Sequence, residues 1–220
     1  MTGCLAFIGG GEWTAPSTVH KLLLAAAPNT RVAVLPTAAA YEGPDAMLEA
    51  ATKVLGRLGA DVIALRAISK TDAHNPVFVD AVAGAGVVYF TSGSALHLRT
   101  TLKNSPLWDA VLRAWRNGAA LVGSGGGAMA FADPMIDPRG GAYTLGLGVV
   151  EGIAVLTEAD TWTLERKRRV LRMAEDTTHV AMLNTGAALV HDDAGWHTHG
   201  HVELHLGGHI ADAASLPRFG

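Results

Sequence analysis

The chain has 220 residues, 49% of them hydrophobic, and a formal net charge of −3. These values suit one α/β domain with a large core over residues 1–220, because no linker-like segment divides the chain. The small net charge argues against a nucleic-acid partner, and the short basic run at residues 166–169 is typical of a solvated helix face.

Cysteine content and apolar runs bear on the cellular compartment. Cys4 is the only cysteine, so no intrachain disulfide can form. The amino terminus lacks a basic segment followed by a long apolar one, and glycines and charges interrupt every apolar run well before the ~20 residues of a membrane span. We therefore expect a cytoplasmic protein with no membrane partner.

Five short apolar runs, each followed by glycine, proline or small residues, are typical of strands buried on both faces. They lie at residues 4–8, 31–35, 61–65, 86–91 and 119–123. Apolar residues at helical spacing predict helices between them, at residues 19–26, 45–58, 75–82, 96–102 and 106–116. Ser17 is a candidate cap for the first helix. Strands that alternate with helices predict a parallel sheet covered on both faces.

The pattern changes after residue 129. Prolines and glycines predict a loop at residues 134–141, which is followed by a strand at 152–156 and a helix at 164–174. The end of the chain is predicted to be β-rich, with a strand at 187–191 and a hairpin at 196–206. The predicted α/β fold is therefore a mostly parallel sheet, covered by helices, with a C-terminal β-hairpin.

The stretch at residues 119–129 joins a predicted strand to a predicted helix through Gly123-Ser-Gly-Gly-Gly-Ala128. Such a turn lies at the carboxyl end of a buried parallel strand, where α/β proteins place ligands and where a hydrolase exposes its nucleophile. Gly125 is expected at the tip, in a backbone conformation that most other residues avoid. Since glycine has neither oxygen nor sulfur in a side chain, the turn has the shape of a nucleophile elbow without the nucleophile.

Five motifs carry a family resemblance. They are Phe7-Ile-Gly-Gly-Gly-Glu12, Val34-Leu-Pro-Thr37, Tyr89-Phe-Thr-Ser-Gly93, the turn motif at 122–128 and Asp133-Pro-Met-Ile136. In their order and spacing, the chain resembles the dipeptidase E and cyanophycinase family of serine peptidases over essentially its whole length. The resemblance implies a flavodoxin-like, type 1 glutamine amidotransferase-like sheet. It also implies hydrolysis of peptide bonds next to acidic residues, or of β-linked aspartyl-arginine bonds.

The catalytic residues of that family are not matched in this chain. The family's turn reads Gly-Thr-Ser-Ala-Gly-Ala, and its serine is matched by Gly125. The stretch that aligns with the family's histidine motif, residues 156–162, contains no histidine, and a downstream acidic pair is matched by Asn184 and Thr185. Because a serine nucleophile needs an adjacent and oriented base, these departures predict the loss of peptidase activity.

The pocket is expected to bind a small molecule or the end of a peptide without cutting it. In the family, the turn after the fourth strand supplies backbone N–H groups, and Gly93 with Ser94 occupies that position. Such donors, with a helix amino terminus, attract a carboxylate or phosphate. No cofactor or metal is expected. The candidate ligand-binding residues are Gly11, Glu12, Gly93, Ser94, Ser124, Gly125 and Gly126.

The alternative function is an active hydrolase whose nucleophile has moved to Ser124, with a histidine from the carboxyl-terminal region as base. Packing within the turn is the favoured interpretation of Ser124, and of Ser92 in the turn before it. Residues 123–128 also match a dinucleotide fingerprint, but they follow the fifth strand and no clean βαβ unit follows them. Glu12 could contact a ligand's amine, although a solvated loop carboxylate is the favoured interpretation.

Alternating histidines near the end of the chain are predicted to share one face of a strand. Side chains at this spacing can ligate zinc or nickel, but the polar outer face of an edge hairpin is the favoured interpretation. The residues are His197, His199, His201, Glu203 and His205.

A homodimer is also considered. Trp108 or Trp115, on the predicted helix before the central strand, could be exposed and form the contact, although a core role is expected for at least one of them.

Overall fold

A computed structural model of the chain describes residues 2–14 and 18–217, so the predicted cap Ser17 lies outside the described residues. Strands and helices alternate as far as residue 131, and every element predicted in this part is confirmed to within a few residues. The strands are β1 (Leu5–Ile8), β2 (Arg31–Leu35), β3 (Asp61–Ala64), β4 (Val87–Phe90) and β5 (Ala120–Ser124). The helices are α1 (Thr18–Ala26), α2 (Pro44–Gly56), α3 (Pro76–Ala83), α4 (Ala95–Leu102), α5 (Pro106–Arg116) and α6 (Gly126–Phe131).

The rest of the chain is richer in short strands, and it includes β11, which the sequence analysis did not predict. Part of the predicted loop at residues 134–141 also forms a strand. The strands are β6 (Ala132–Asp133), β7 (Met135–Ile136), β8 (Tyr143–Thr144), β9 (Val150–Glu151), β10 (Ile153–Leu156), β11 (His179–Leu183), β12 (Ala188–Asp192), β13 (Gly195–His199), β14 (Val202–Leu206) and β15 (His209–Ile210). The helix is α7 (Leu164–Met173). No helix in the described part of the chain is long and apolar enough to cross a membrane.

The main sheet has seven strands in the order β13-β12-β1-β5-β4-β2-β3. Its neighbours from β1 to β3 are all parallel, whereas β12 and β13 join antiparallel at one edge. This arrangement confirms the predicted mostly parallel α/β sheet. The register pairs Ile8 with Ser124 and Phe90 with Gly123, so the segments that follow β1, β4 and β5 lie side by side at one edge of the sheet.

The predicted hairpin at residues 196–206 is wrong. Strand β13 pairs with β12 in the main sheet, while β14 pairs with β11 and β15 in a second, six-stranded sheet. The hairpin of this region is β12–β13, whose turn contains Gly195 at φ 111°. The chain then crosses to the second sheet, where β14 pairs with β11. Strand β11 was not predicted, and the alternation of residues within 196–206 does not show which other strand they pair with.

The central strands of the main sheet are buried on both faces. All of β1 is buried, with Phe7 in one core cluster and Ala6 and Ile8 in another, where Leu23 of α1 also packs. Burying a large apolar side chain contributes about 1.5–3 kcal/mol, so strands without a polar face are stable only between two layers of helices.

The tryptophans of α5 belong to the core. Trp108 and Trp115 are only 5% and 7% exposed, and Trp115 Nε1 donates to the Gly3 carbonyl oxygen at 2.8 Å. The core role expected for at least one of them is therefore confirmed for both, and neither is exposed for a dimer contact. The homodimer itself stays a prediction.

Candidate functional site at the strand-to-helix turn

The elbow turn, residues 123–128, connects β5 directly to α6. Gly125 stands between them with φ 51° and ψ −121°, and its N–H donates to the Ile8 carbonyl oxygen at 2.9 Å. A positive φ with this ψ is open to glycine and strained for other residues. The expected unusual conformation of Gly125 is thus confirmed, and the turn has the sharp strand-to-helix geometry of a nucleophile elbow.

The glycines of the elbow turn allow the turn after β4 to pack against it. A β-carbon on Gly126 would overlap the Gly93 carbonyl oxygen, and one on Gly127 would lie 2.9 Å from the Phe90 carbonyl oxygen. Gly93 itself has φ 135°, and a β-carbon there would lie 2.5 Å from the Ala38 carbonyl oxygen. Contact between backbones leaves no space for side chains, which is why small residues cluster at this point of the sequence.

Ser92 occupies the space in which a side chain at position 125 would lie. A β-carbon on Gly125 would lie 2.6 Å from Ser92 Oγ and 2.9 Å from Ser92 Cβ. Ser92 follows β4, is partly exposed, and reaches across to the elbow because Phe90 is in register with Gly123. The hydroxyl group nearest to the tip of the elbow therefore comes from the neighbouring turn.

The carboxylate of Glu12 lies directly behind this hydroxyl. Glu12 is 5% exposed, and its carboxylate accepts hydrogen bonds from Ser92 N at 2.8 Å, Ser92 Oγ at 2.7 Å and Ser124 Oγ at 2.8 Å. No Lys, Arg or His in the described ranges forms an ion pair with it. The favoured interpretation of Glu12 as a solvated loop carboxylate is wrong, because β1 and β5 are adjacent and direct the segment after β1 under the elbow.

Ser124, the alternative nucleophile, is fully buried. Its Oγ donates to Glu12 Oε2 and lies 3.3 Å from Ser92 Oγ. The buried Ser124 hydroxyl stabilises the turn through its hydrogen bond to the carboxylate. The geometry thus favours the packing interpretation of Ser124.

The polar network continues inward to Tyr89 and His20. Tyr89 is fully buried in β4, and its pKa is raised well above the ordinary value by burial and by the Glu12 charge, while a hydrogen bond with Ser124 acts in the opposite direction. Tyr89 Oη lies 3.2 Å from His20 Nε2, and the Trp13 ring stacks on His20. Burial lowers the pKa of His20, against a smaller effect of Glu12. This histidine lies on the buried face of α1 beside Val19 and was not predicted as a site residue.

Acidic side chains line the outer part of the site. Glu158, at φ 50°, lies over Gly10, where a β-carbon would be 2.8 Å from Glu158 Cγ. Its pKa is raised by burial and by the charges of Glu12, Asp160 and Glu42. The fold therefore places Glu158 beside the segment that follows β1 and leads to Glu12, and neither Glu158 nor Asp160 was predicted as a site residue.

The Asn184–Thr185 segment, matched to the family's acidic pair, is fixed by one of these carboxylates. Thr185 donates to Asp160 Oδ1 through its N–H at 2.7 Å and through its hydroxyl at 3.0 Å. These bonds lower the pKa of Asp160, the backbone hydrogen bond having the largest effect. The methyl group of Thr185 faces Gly11, where a β-carbon would lie 2.8 Å from Thr185 Cγ2.

Ser94 has a structural role. Its Oγ accepts a hydrogen bond from His97 N at 3.2 Å and caps α4, and its own N–H donates to the Ala38 carbonyl oxygen at 2.8 Å. The backbone N–H of Ser94, which was expected to face a ligand, is therefore used within the protein, and so is its hydroxyl. Of the predicted ligand-binding residues, the structure brings Glu12, Ser124, Gly125, Gly93 and Gly126 close together through their mutual contacts.

The carboxyl-terminal histidines do not share one face, so that prediction is wrong. His197 and His199 lie on β13 in the main sheet, and His205 lies on β14 in the second sheet. His197 Nε2 is 3.1 Å from Asp192 Oδ1, and His201 Nε2 is 3.0 Å from Glu203 Oε1. Within the described part of the chain, no group of three or more His, Cys, Asp or Glu side chains is arranged to hold a metal ion.

The fold and the elbow together define the class. A parallel sheet whose central strand ends in a strained turn leading into a helix is the arrangement on which α/β hydrolytic enzymes build their nucleophile. The model of Peptidase family S51 matches residues 5–197, and the chain belongs to this family. No curated protein matches the sequence.

Two solved structures are similar over nearly the whole chain. A peptidase from an acI-B1 Actinobacterium superposes with a TM-score of 0.83 at 26% identity, covering 94% of this chain and 91% of that one. A protein assigned as peptidase E from Listeria monocytogenes EGD-e has a TM-score of 0.65 at 16% identity, covering 94% of this chain and 99% of that one. The second likeness concerns the fold alone.

Proposed function

We propose that this chain is a Peptidase S51 family protein that has lost peptide-bond hydrolysis and binds a small molecule or the amino end of a peptide at the elbow. The observation that carries the proposal is the position of Ser92: its hydroxyl occupies the space of the elbow side chain and is bonded to the buried Glu12. A peptide cannot be attacked from Gly125, and the hydroxyl in its place is hydrogen-bonded to no histidine among the described residues.

The charges at the entrance support a ligand with a positive group. Glu158 lies over Gly10, two residues before Glu12, and its pKa is raised first by burial and then by the charges of Glu12, Asp160 and Glu42. An ammonium group placed beside the exposed Glu158 would relieve this repulsion. The earlier expectation of a carboxylate or phosphate ligand rests on backbone donors alone and has less support. A peptide amino end offers the ammonium group, and its carbonyl oxygen can accept from backbone N–H groups of the elbow.

Binding can be measured with short peptides by calorimetry. Aspartyl-leucine and its N-acetylated form differ in the ammonium group, and we expect only the free amine to bind. In Glu158→Gln, binding of the amine should weaken by about fivefold to tenfold, which corresponds to a partly exposed charge pair of about 1 kcal/mol.

Glu151→Gln is the matched control, because Glu151 is an exposed carboxylate on β9. Equal binding of the acetylated and free forms would contradict the proposed ammonium site. The hydrolase alternative at Ser124 has less support than the binding function, since Ser124 is fully buried.

A further inference from the structure

The Ser92 hydroxyl has the surroundings of a nucleophile that has changed position. It lies at the tip of the elbow, within 2.6 Å of where the side-chain carbon of Gly125 would stand, and it is partly exposed. A reacting acyl group that approaches the elbow as in other α/β hydrolytic enzymes would meet this oxygen first. The sheet register places the end of β4 beside the end of β5. This explains how Ser92 can stand where the side chain of an elbow residue would be.

The hydroxyl also has a base in place. Ser92 Oγ donates to Glu12 Oε2 at 2.7 Å, a distance within the range for proton transfer to a general base. Glu12 Oε1 accepts from Ser92 N and Glu12 Oε2 also accepts from Ser124 Oγ, so both carboxylate oxygens are held in position. The pair therefore satisfies the geometric requirement for an activated serine, with the carboxylate taking the role that a histidine has in a triad.

We propose that Ser92 and Glu12 form a nucleophile–base pair that is acylated by activated esters. This activity goes beyond the proposed binding function and leaves it unchanged. The substrate class is an ester with a good leaving group, such as an aryl ester, and the intermediate is an ester of Ser92.

The proton balance explains why esters react and peptides do not. Ser92 Oγ forms a bond to the acyl carbon, its proton moves to Glu12 Oε2, and the aryl oxygen leaves as a phenolate. Water then attacks the acyl carbon, its surplus proton passes to the solvent, and Glu12 returns its proton to Ser92 Oγ as the acyl bond breaks. A peptide leaving group must be protonated as it departs, and Glu12, 5% exposed beneath Ser92, cannot reach it.

Labelling with a fluorophosphonate tests the pair on the intact protein. The phosphorus–oxygen bond to Ser92 should form with loss of fluoride, and mass mapping should find the label on the peptide that contains Ser92. Ser92→Ala should abolish the label. Glu12→Gln should slow labelling and 4-nitrophenyl acetate hydrolysis by at least ~100-fold, the usual contribution of a general base, and should remove the dependence of the rate on ionisation of the carboxylate.

Thr163→Asn is the matched control, because it removes an exposed hydroxyl at the start of α7, outside the site, and keeps a helix-capping side chain. It should label like the unmodified protein. Absence of label on Ser92 in the unmodified protein, or equal labelling of a folded Ser92→Ala variant, would overturn the inference. Neither result bears on the binding function, which the peptide titrations test separately. If Ser92→Ala fails to fold, the site of the label in the unmodified protein still decides the question.

Discussion

Ser92 Oγ lies 2.6 Å from the position that a β-carbon on Gly125 would take, so the two residues compete for one place at the elbow. The turn after β4 thus supplies the hydroxyl that the turn after β5 lacks. Glu12 holds Ser92 in this position by accepting hydrogen bonds from its N–H and from its hydroxyl.

Gly125→Ala should destabilise the protein by more than the backbone conformation alone requires. Strain at a positive φ costs about 1–3 kcal/mol, and the new β-carbon would also meet Ser92 Cβ at 2.9 Å. Gly59→Ala is the control, because Gly59 also has a positive φ, +88°, and nothing lies within 4 Å of the added carbon. Urea unfolding should show a larger loss in the free energy of unfolding for Gly125→Ala than for Gly59→Ala. Equal losses would mean that Ser92 moves aside without an energetic cost.

Gly125→Ser should not create peptidase activity. The restored hydroxyl would have no adjacent histidine among the described residues, and members of a catalytic triad act as a unit, so that one member alone supplies little. Cleavage of aspartyl dipeptides is the measurement, with the double variant Ser92→Gly/Gly125→Ser tested alongside to remove the steric conflict. Robust turnover by either variant would show that the site contains a base for peptide hydrolysis.

The stability of the protein should fall as the pH is lowered below about 6.5. The pKa of His20 is lowered from 6.5 in the folded state, mainly by burial, so the unfolded chain binds a proton more readily. The contribution of His20 to the free energy of unfolding is complete above the pKa of this histidine in the unfolded chain. It is lost as the pH falls towards the lower pKa in the folded protein. Urea unfolding from pH 7 to pH 5 should show a smaller slope for His20→Gln than for the unmodified protein.

His74→Gln provides the comparison for that experiment, because His74 is exposed on a short helical turn. It should retain the slope of the unmodified protein. The same slope in all three proteins would show that His20 does not titrate differently in the folded and unfolded states.

Cys4 should be unreactive in the folded protein. Burial, with the nearby charges of Asp192 and Asp193, raises the pKa of its thiol from 9.0 to about 12. The thiolate is the reactive form, so at pH 8 its fraction should fall on the order of a thousandfold relative to the unfolded chain. Alkylation by iodoacetamide, followed by mass spectrometry, should be complete only in denaturant. Cys4 is partly buried, and rapid alkylation of the native protein would contradict the raised pKa of its thiol.

The strands and helices up to residue 131 could be predicted because each is specified by its own residues. Continuous apolar runs such as β2 identify doubly buried strands, and Ser105 with Pro106 marks the start of α5. The second sheet could not be predicted in this way. Strand β11 begins with a histidine, His179, and it pairs with β14 across the intervening β12 and β13, which belong to the main sheet.

The candidate site could be predicted only in part. The shape of the elbow follows from the glycines, and the position of Gly125 at its tip was correct. The roles of Glu12 and Ser92 depend on which strands are neighbours, since only the adjacency of β1, β5 and β4 brings their following segments together. From the local sequence alone, Glu12 and Ser92 are both interpreted as ordinary turn residues.

Hydrolysis of aspartyl dipeptides and of β-linked aspartyl-arginine by the purified, unmodified chain tests the central claim most directly. Release of free amino acids should be followed over hours at pH 7–8, with an active S51 peptidase as the positive control. We predict no release above the buffer rate, even where the free amines bind. Turnover that survives repeated purification and disappears in Ser92→Ala or Glu12→Gln would contradict the loss of peptidase activity.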